Sequence, residues 1–334
     1  MTYTYFKGNP DQLITELGRE KLVSVLRQML YIRHFERRAE AAYQEGKIGG
    51  FFHSYAGQEA IQSGVLAALG PENWYVTTYR CHALAILLGV SLEDIASELF
   101  GRANGNAKGR GGSMHLYADR LLGGFGIVGG HVPVATGAAF SIKYRKIPNE
   151  VAVCFLGDGA VAQGTVHESL NLASLWNLPC IYVVENNKWG MGTSVERALC
   201  MERLAEDLAP AYRMKGYTVD GTNFFDCYAA FHHIYQEVLS TRRPVIIEAL
   251  AERFRGHSIS DPGLYRSKEA LQDAIKADPI AKLRSDLSAH ALLSDAEFEE
   301  MEKDAREASV KALEHAERSP LPDPIHLEED VFAP

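Results

Sequence analysis

The chain has 334 residues, is 46% apolar and carries a formal net charge of −9 at pH 7, enough for a large globular α/β core. Its acidic balance argues against nucleic acid or an anionic membrane surface as partner. No run approaches membrane-spanning length, and the N-terminus lacks an apolar signal core or an Arg-rich transit pattern, so a cytoplasmic protein is expected.

Taken in order, Arg19 to Gln44 carries Leu22, Val25, Leu26, Met29 and Ile32 at helical spacing, which predicts an N-terminal helix over 19–44 ended by Gly46. A loop holding Phe52 and His53 then leads through Gly57-Gln58-Glu59-Ala60 into an Ala/Leu-rich helix. His53 taken by itself reads as a cap or surface residue. Trp74 to Thr78 reads as a strand, followed directly by Tyr79-Arg80 at the start of a short helix. The guanidinium of Arg80 could clamp a phosphate or could simply be solvated. Ser91 caps a further helix, with Glu93 and Asp94 in its first turn.

Residues 101 to 130 hold ten of the 29 glycines, interleaved with Met114, His115, Phe125, Ile127 and Val128, so the segment reads as a functional loop rather than a linker. Gly124-x-Gly126-x-x-Gly129 formally matches a dinucleotide fingerprint, but no strand is expected before it, and a nicotinamide-dependent oxidoreductase is set aside on that ground. A small-residue helix is expected over Val132 to Tyr144.

Val151 to Asn187 organises the chain. Val151 to Leu156 is an uninterrupted apolar run, as is Cys180 to Val184, and Gln163 to Trp176 between them reads as a helix. This is a βαβ unit whose right-handed crossover puts Asp158, in Gly157-Asp158-Gly159, and Asn187, in Glu185-Asn186-Asn187, past the carboxyl ends of parallel strands. An Asp carboxylate and an Asn carboxamide oxygen suit Mg²⁺ that shares its coordination with water and phosphate, and the glycines let backbone N–H groups approach a diphosphate. A sharp strand-to-helix turn with a solvated Asp is the competing reading. The five cysteines show no Cys-x-x-Cys pair and read as reduced packing residues.

Trp189-Gly-Met-Gly-Thr-Ser forms another glycine-bearing loop. Strands at Tyr217 to Val219 and Val245 to Leu250, with a helix over Asp226 to Leu239, continue the α/β alternation. Arg253 to Gly263, carrying His257, is a loop at the same rim; alternatively it is a mobile basic loop. Residues 267 to 317 read as charged helices, and the tail 319–334 is Pro- and acid-rich. The expected architecture is a single α/β domain over 1–334, doubly wound around a mostly parallel sheet in a core of about 45–265, with helical N- and C-terminal regions.

These motifs, in this order, resemble the alpha subunits of the two-subunit thiamine diphosphate-dependent 2-oxo acid dehydrogenases. Phe52-His53, Gly57-Gln58-Glu59-Ala60, Tyr79-Arg80, Gly111 to His115, Gly126 to Gly129, Gly157-Asp158-Gly159, Glu185-Asn186-Asn187 and Gly190 to Arg197 carry the likeness, and Gly256 to Pro262 resembles the pyruvate branch. The resemblance implies the thiamine diphosphate-binding fold and oxidative decarboxylation of pyruvate with reductive acetylation of a lipoyl group. Acetoin and branched-chain 2-oxo acid dehydrogenases are the alternatives.

It further implies Mg²⁺ on Asp158, Asn187 and the Trp189 backbone carbonyl, and thiamine diphosphate held by Tyr79, Arg80, Gly159, Ala160 and His257 with Gly126 and Val128 at the aminopyrimidine. His53 and His257 would act near the thiazolium as substrate-binding or proton-transferring residues, titrating near neutrality. A beta subunit would complete an α2β2 assembly, since the carboxylate that activates the aminopyrimidine is assigned to that chain. The second partner would be the lipoyl-bearing dihydrolipoyl acetyltransferase. Trp189 stands where animal relatives usually carry Tyr, and His131 where Gln is usual. Ser258 matches their regulatory phosphorylation site, but Gly263-Leu264-Tyr265-Arg266 lacks their second serine, so control by a dedicated kinase is not expected.

Overall fold

The structure, a computed structural model, describes residues 5–329 and 331. Among them the strands are β1 (Tyr5–Phe6), β2 (Trp74–Thr78), β3 (Leu121–Phe125), β4 (Ala152–Gly157), β5 (Cys180–Asn186), β6 (Trp189–Gly190), β7 (Thr193–Ser194), β8 (Lys215–Asp220) and β9 (Val245–Leu250). The helices are α1 (Pro10–Gln44), α2 (Glu59–Leu69), α3 (His82–Leu87), α4 (Leu92–Leu99), α5 (Val132–Tyr144), α6 (Gly164–Leu175), α7 (Val195–Ala198), α8 (Leu204–Leu208), α9 (Phe224–Thr241), α10 (Lys268–Lys276), α11 (Pro279–Ala289) and α12 (Asp295–Arg318). Seven strands form one sheet in the order β1-β8-β9-β5-β4-β2-β3, and every neighbouring pair is parallel.

The continuous apolar runs are explained by burial on both faces. Val151, Val153 and Phe155 point into one core with Ile181 and Val183, while Ala152, Cys154 and Leu156 point into the other with Cys180, Tyr182 and Val184. One face is covered by α2, α4, α9 and part of α1 and α12; the other is covered by α5, α6 and α8. This is the doubly wound α/β arrangement expected. A third cluster joins the first half of α1 to α11 and α12, so the terminal helices pack together against α2 and α9.

Two expectations change. Helix α1 starts at Pro10, capped by Asn9, and a break at Gly18 (φ 72°, ψ 163°) separates its first two turns from the segment beginning at Arg19. A strand does precede the glycine fingerprint, because β3 runs through Leu121-Leu-Gly-Gly-Phe125 into the turn before α5. Its sequence has no β-branched residue, and pairing with β2, not local propensity, makes it a strand. β3 nevertheless lies at the sheet edge, whereas the crevice at the sheet's carboxyl edge is centred on β4 and β5. Of the cysteines, Cys81, Cys154, Cys180 and Cys227 are buried and all five are free thiols. Among the described residues no helix is long and apolar enough to cross a membrane.

Candidate active site

The carboxyl ends of β3, β2, β4 and β5 and the chain after β9 converge on a cavity of about 380 Å³. β4 and β5 run in register, Gly157 opposite Glu185, so Asp158 and Asn187 leave the sheet side by side. Both are buried, and Asp158 Oδ2 and Asn187 Oδ1 have no hydrogen-bond partner among the described residues. Burial raises the Asp158 carboxyl above its ordinary value, opposed by the charges of Arg253 and Arg80. Two orphaned hard oxygens at such a point are costly unless a cation or donor completes them, and this donor set fits Mg²⁺.

After Asn187 the chain reverses at Lys188 (φ 70°), whose N–H donates to Asn186 Oδ1 at 2.9 Å, and enters the small antiparallel hairpin β6–β7. The segment expected as a loop is therefore a two-stranded turn that returns Trp189 to the cavity wall. A Cβ on Gly159 would stand 3.3 Å from the Cα of Gly190, tighter than an ordinary contact, so the absence of a side chain lets the turn after β4 and the hairpin approach each other closely.

The cavity is also lined by cations, Arg80 and Arg253. Arg80 is buried, donating Nη1–H to the Ser54 carbonyl at 2.8 Å and Nη2–H to the His257 carbonyl at 2.6 Å. The residue expected to clamp a phosphate ties the loops at 53–57 and 253–266 together. Arg253 is buried beside it, donating to Tyr265 Oη at 3.1 Å, with its Nε unpartnered among the described residues. Burial and the nearby Arg80 charge push Arg253 down to about 10. Two buried guanidiniums with no carboxylate ion-pair partner among the described residues suit an anionic ligand.

The rings of His53 and Tyr79 are 4.3 Å apart, and His53 and His257 are 5.0 Å apart. Burial, with Arg80 nearby, pushes His53 down to about 2 and His257 to about 4. Both imidazoles are therefore neutral, a departure from titration near neutrality, and the cause is desolvation beside fixed positive charge. Arg253 Nη1 can only donate, so His257 Nδ1 accepts at 3.3 Å and Nε2 carries the proton. Asp261 organises this loop, accepting from the backbone of His257 and Gly263 and from Tyr265 Oη. Ser258 is buried against Ser260.

Tyr79, Arg80, Val128, Asp158, Gly159, Ala160, Asn187, Trp189 and His257 all line the one cavity. Gly126 and His53 do not line it but adjoin residues that do: Gly126 lies between the lining residues Phe125 and Ile127, near the His115 ring, and the His53 ring packs against those of Tyr79 and His257. His131 also lines it. Its Nε2–H donates to the Phe155 carbonyl at 2.7 Å, which fixes the tautomer and leaves Nδ1 as an acceptor, and burial lowers the ring to about 4.

Gln58 and Glu185 line the cavity without having been assigned a place there by the sequence, whereas Arg253, one of the arginines flanking His257 on the loop expected at this rim and able to meet phosphate or substrate carboxylate, lines it as well. Glu185 is buried, receives Tyr55 Oη–H and Gln62 Nε2–H, and is raised to about 7 by burial. A carboxylate closing an otherwise apolar strand was the available signal for it. Nothing local marks Gln58, whose partner Asn187 is 129 residues away.

The chain matches the family described as the dehydrogenase E1 component over residues 27–325. It is 40% identical over 316 residues to the pyruvate dehydrogenase E1 component subunit alpha of Rickettsia bellii, covering 94% of this chain and 96% of that one. The Rhizobium meliloti protein of the same name is 39% identical over 322 residues, covering 96% and 92%. The testis-specific mitochondrial form of Rattus norvegicus is 37% identical over 327 residues, covering 96% and 81%. The chain belongs to the dehydrogenase E1 component family.

Proposed function

We propose that this chain is the alpha subunit of a pyruvate dehydrogenase E1 component, using thiamine diphosphate and Mg²⁺ to decarboxylate pyruvate and deliver the acetyl group to a lipoyl-bearing acetyltransferase. Its relatives bear that name over nearly their whole length, which supports the substrate. The observation that carries the cofactor is the pair of orphaned oxygens, Asp158 Oδ2 and Asn187 Oδ1, in one cavity with the buried guanidiniums of Arg80 and Arg253. A metal–diphosphate pair answers both halves of that arrangement. Thiamine diphosphate supplies the electron sink that loss of CO₂ from a 2-oxo acid requires.

On this reading Asp158, Asn187 and the Trp189 carbonyl hold Mg²⁺. Tyr79, Arg80, Gly159, Ala160 and His257 receive the diphosphate, and Gly126 and Val128 offer backbone groups to the aminopyrimidine. His257, protonated at Nε2, donates a hydrogen bond, and His53, neutral with Nδ1 unpartnered among the described residues, binds and orients the substrate. The name subunit alpha borne by the relatives supports a beta subunit, and we place the chain in the cytoplasm within an α2β2 enzyme.

The test is calorimetric titration of thiamine diphosphate with Mg²⁺ into the chain co-assembled with its beta subunit, for wild type and Asp158→Ala. Binding that requires Mg²⁺ and disappears in Asp158→Ala supports the reading, and absence of binding in wild type ends it. Turnover of pyruvate in preference to acetoin and 3-methyl-2-oxobutanoate would then support the substrate, and the reverse preference would replace it.

A further inference from the structure

Gln58 stands at the start of α2, in the wall of the cavity, and no step above uses it. Its side chain does not cap the helix. Instead its Oε1 accepts the Asn187 Nδ2–H at 3.1 Å, while its own Nε2 is buried without a partner among the described residues. The residue is only 1% exposed. Asn187 Oδ1, the atom a cation needs, is orphaned on the other side of the same carboxamide.

We propose that Gln58 is the positioning residue of the metal centre and a donor to the anionic ligand beside it: Oε1 holds the Asn187 carboxamide with Oδ1 toward the cation, and Nε2 donates to a diphosphate oxygen. This rests on the metal–diphosphate reading of the cavity. A carboxamide turned by half a rotation has nearly the same shape but presents an NH₂ group, which repels a cation and cannot ligate it. Only an acceptor placed against Nδ2 selects the useful orientation. Gln58 is the acceptor present, and once Oε1 is engaged its NH₂ group is left over in a cavity that Arg80 and Arg253 also line. A buried donor in cationic surroundings is satisfied by an anion's oxygen.

The surrounding structure holds Gln58 still. Its N–H donates to the Tyr55 carbonyl and its carbonyl accepts from Ile61 N–H, each at 3.1 Å. Gly57 before it has φ 102°, and a Cβ there would lie 2.2 Å from the Glu252 carbonyl oxygen. Glu59 after it is gripped by Arg33 at 2.6 and 2.9 Å.

Gln58→Glu and Gln58→Met separate the two functions, because a carboxylate can only accept and a thioether replaces neither partner. Each is assembled with the beta subunit and titrated calorimetrically with thiamine diphosphate over a range of Mg²⁺ concentrations. Gln58→Met is expected to raise the half-saturating Mg²⁺ by about 10–100-fold, the usual effect of losing a partner of a metal ligand. Gln58→Glu is expected to keep it within roughly threefold, yet to weaken thiamine diphosphate about tenfold or more at saturating Mg²⁺, because the donor has become an anion.

An unchanged Mg²⁺ requirement in Gln58→Met, or equal Mg²⁺ losses in both variants, would overturn the proposal. If Gln58→Met does not assemble, Gln58→Glu decides alone: retained Mg²⁺ dependence with weakened cofactor supports it, and lost Mg²⁺ dependence or unweakened cofactor refutes it. Wild type that binds no thiamine diphosphate with Mg²⁺ would instead remove the cofactor reading itself, and the two failures are distinct.

Discussion

Replacing Arg33 tests the polar joint that ties the terminal helices to the site. The side chain is buried on α1, its guanidinium gripping Glu59 at 2.6 and 2.9 Å and Asp278 at 2.8 and 3.1 Å, with the Phe254 ring 4.8 Å below. Glu59 is fully buried, so Arg33→Met strands its charge, a loss of about 3–5 kcal/mol. For 334 residues the unfolding entropy is roughly 0.7 kcal/mol/K, so the melting midpoint should fall by about 4–7 °C. Adding Glu59→Gln removes the stranded charge while an amide oxygen can still accept the Gly57 N–H that Glu59 now receives at 3.0 Å, so the double variant should recover most of the loss.

Acid adds a second readout. Burial alone would raise the Asp278 carboxyl, but the Arg33 hydrogen bonds and charge hold it below its ordinary value. A depressed folded pKa stabilises above the unfolded carboxylate pKa, and that contribution is lost as pH falls through the folded value; Arg33→Met should therefore shorten the acid limb of the stability profile. Scanning calorimetry of the assembled enzyme across pH reads both effects. A midpoint within about 1 °C of wild type, or a double variant no better than the single, would refute the reasoning.

Two further outcomes follow from the same geometry. Glu98, fully buried, accepts the backbone N–H groups of Ala107, Gly109, Gly111 and Gly112 at 2.6 to 3.2 Å, so Glu98→Gln sets an NH₂ against those donors. Limited proteolysis within 101–112 should then be markedly faster than in wild type, and an unchanged rate would show that the carboxylate does not hold the loop. His53 and His257 stay neutral in the fold to about 2 and about 4, so below the unfolded histidine value of about 6.5 the unfolded chain takes up protons first and stability falls with pH. His53→Gln should flatten that decline between about pH 6.5 and 5, measured as the melting midpoint, and an unaltered slope would contradict the burial argument.

How far the residues alone carried the structure depended on the range over which each feature is determined. The unit β4–α6–β5 was legible because both strands are apolar on both faces and Pro179 closes the crossover, so the pattern and the packing say the same thing. Asp158 and Asn187 followed, since a strand end is a place as well as a local signal. β3 was missed because Leu-Leu-Gly-Gly-Phe becomes a strand only against β2. The first turns of α1 were missed because Gly18 interrupts the helical phase. Gln58 had no legible role because its meaning lies in the amide it faces across 129 residues. Neutral histidines were not legible either, since the cause is the burial of the imidazoles themselves, with the charges of Arg80 and Arg253 nearby, and both arise only in the fold.

The two hydrogen bonds of Arg80 make three distant stretches of sequence interdependent. One guanidinium joins Ser54, its own position after β2, and His257, so a change in any of the three segments moves the donors available to the other two. Substitutions there should show strong epistasis, with double variants departing from the sum of their singles, while changes at exposed positions of α10 or α12 should combine additively. An evolving or engineered version of this chain would therefore accept changes in these loops as matched sets, and a loop transplanted from a relative without its Arg80 counterpart would arrive without the contacts that shape it.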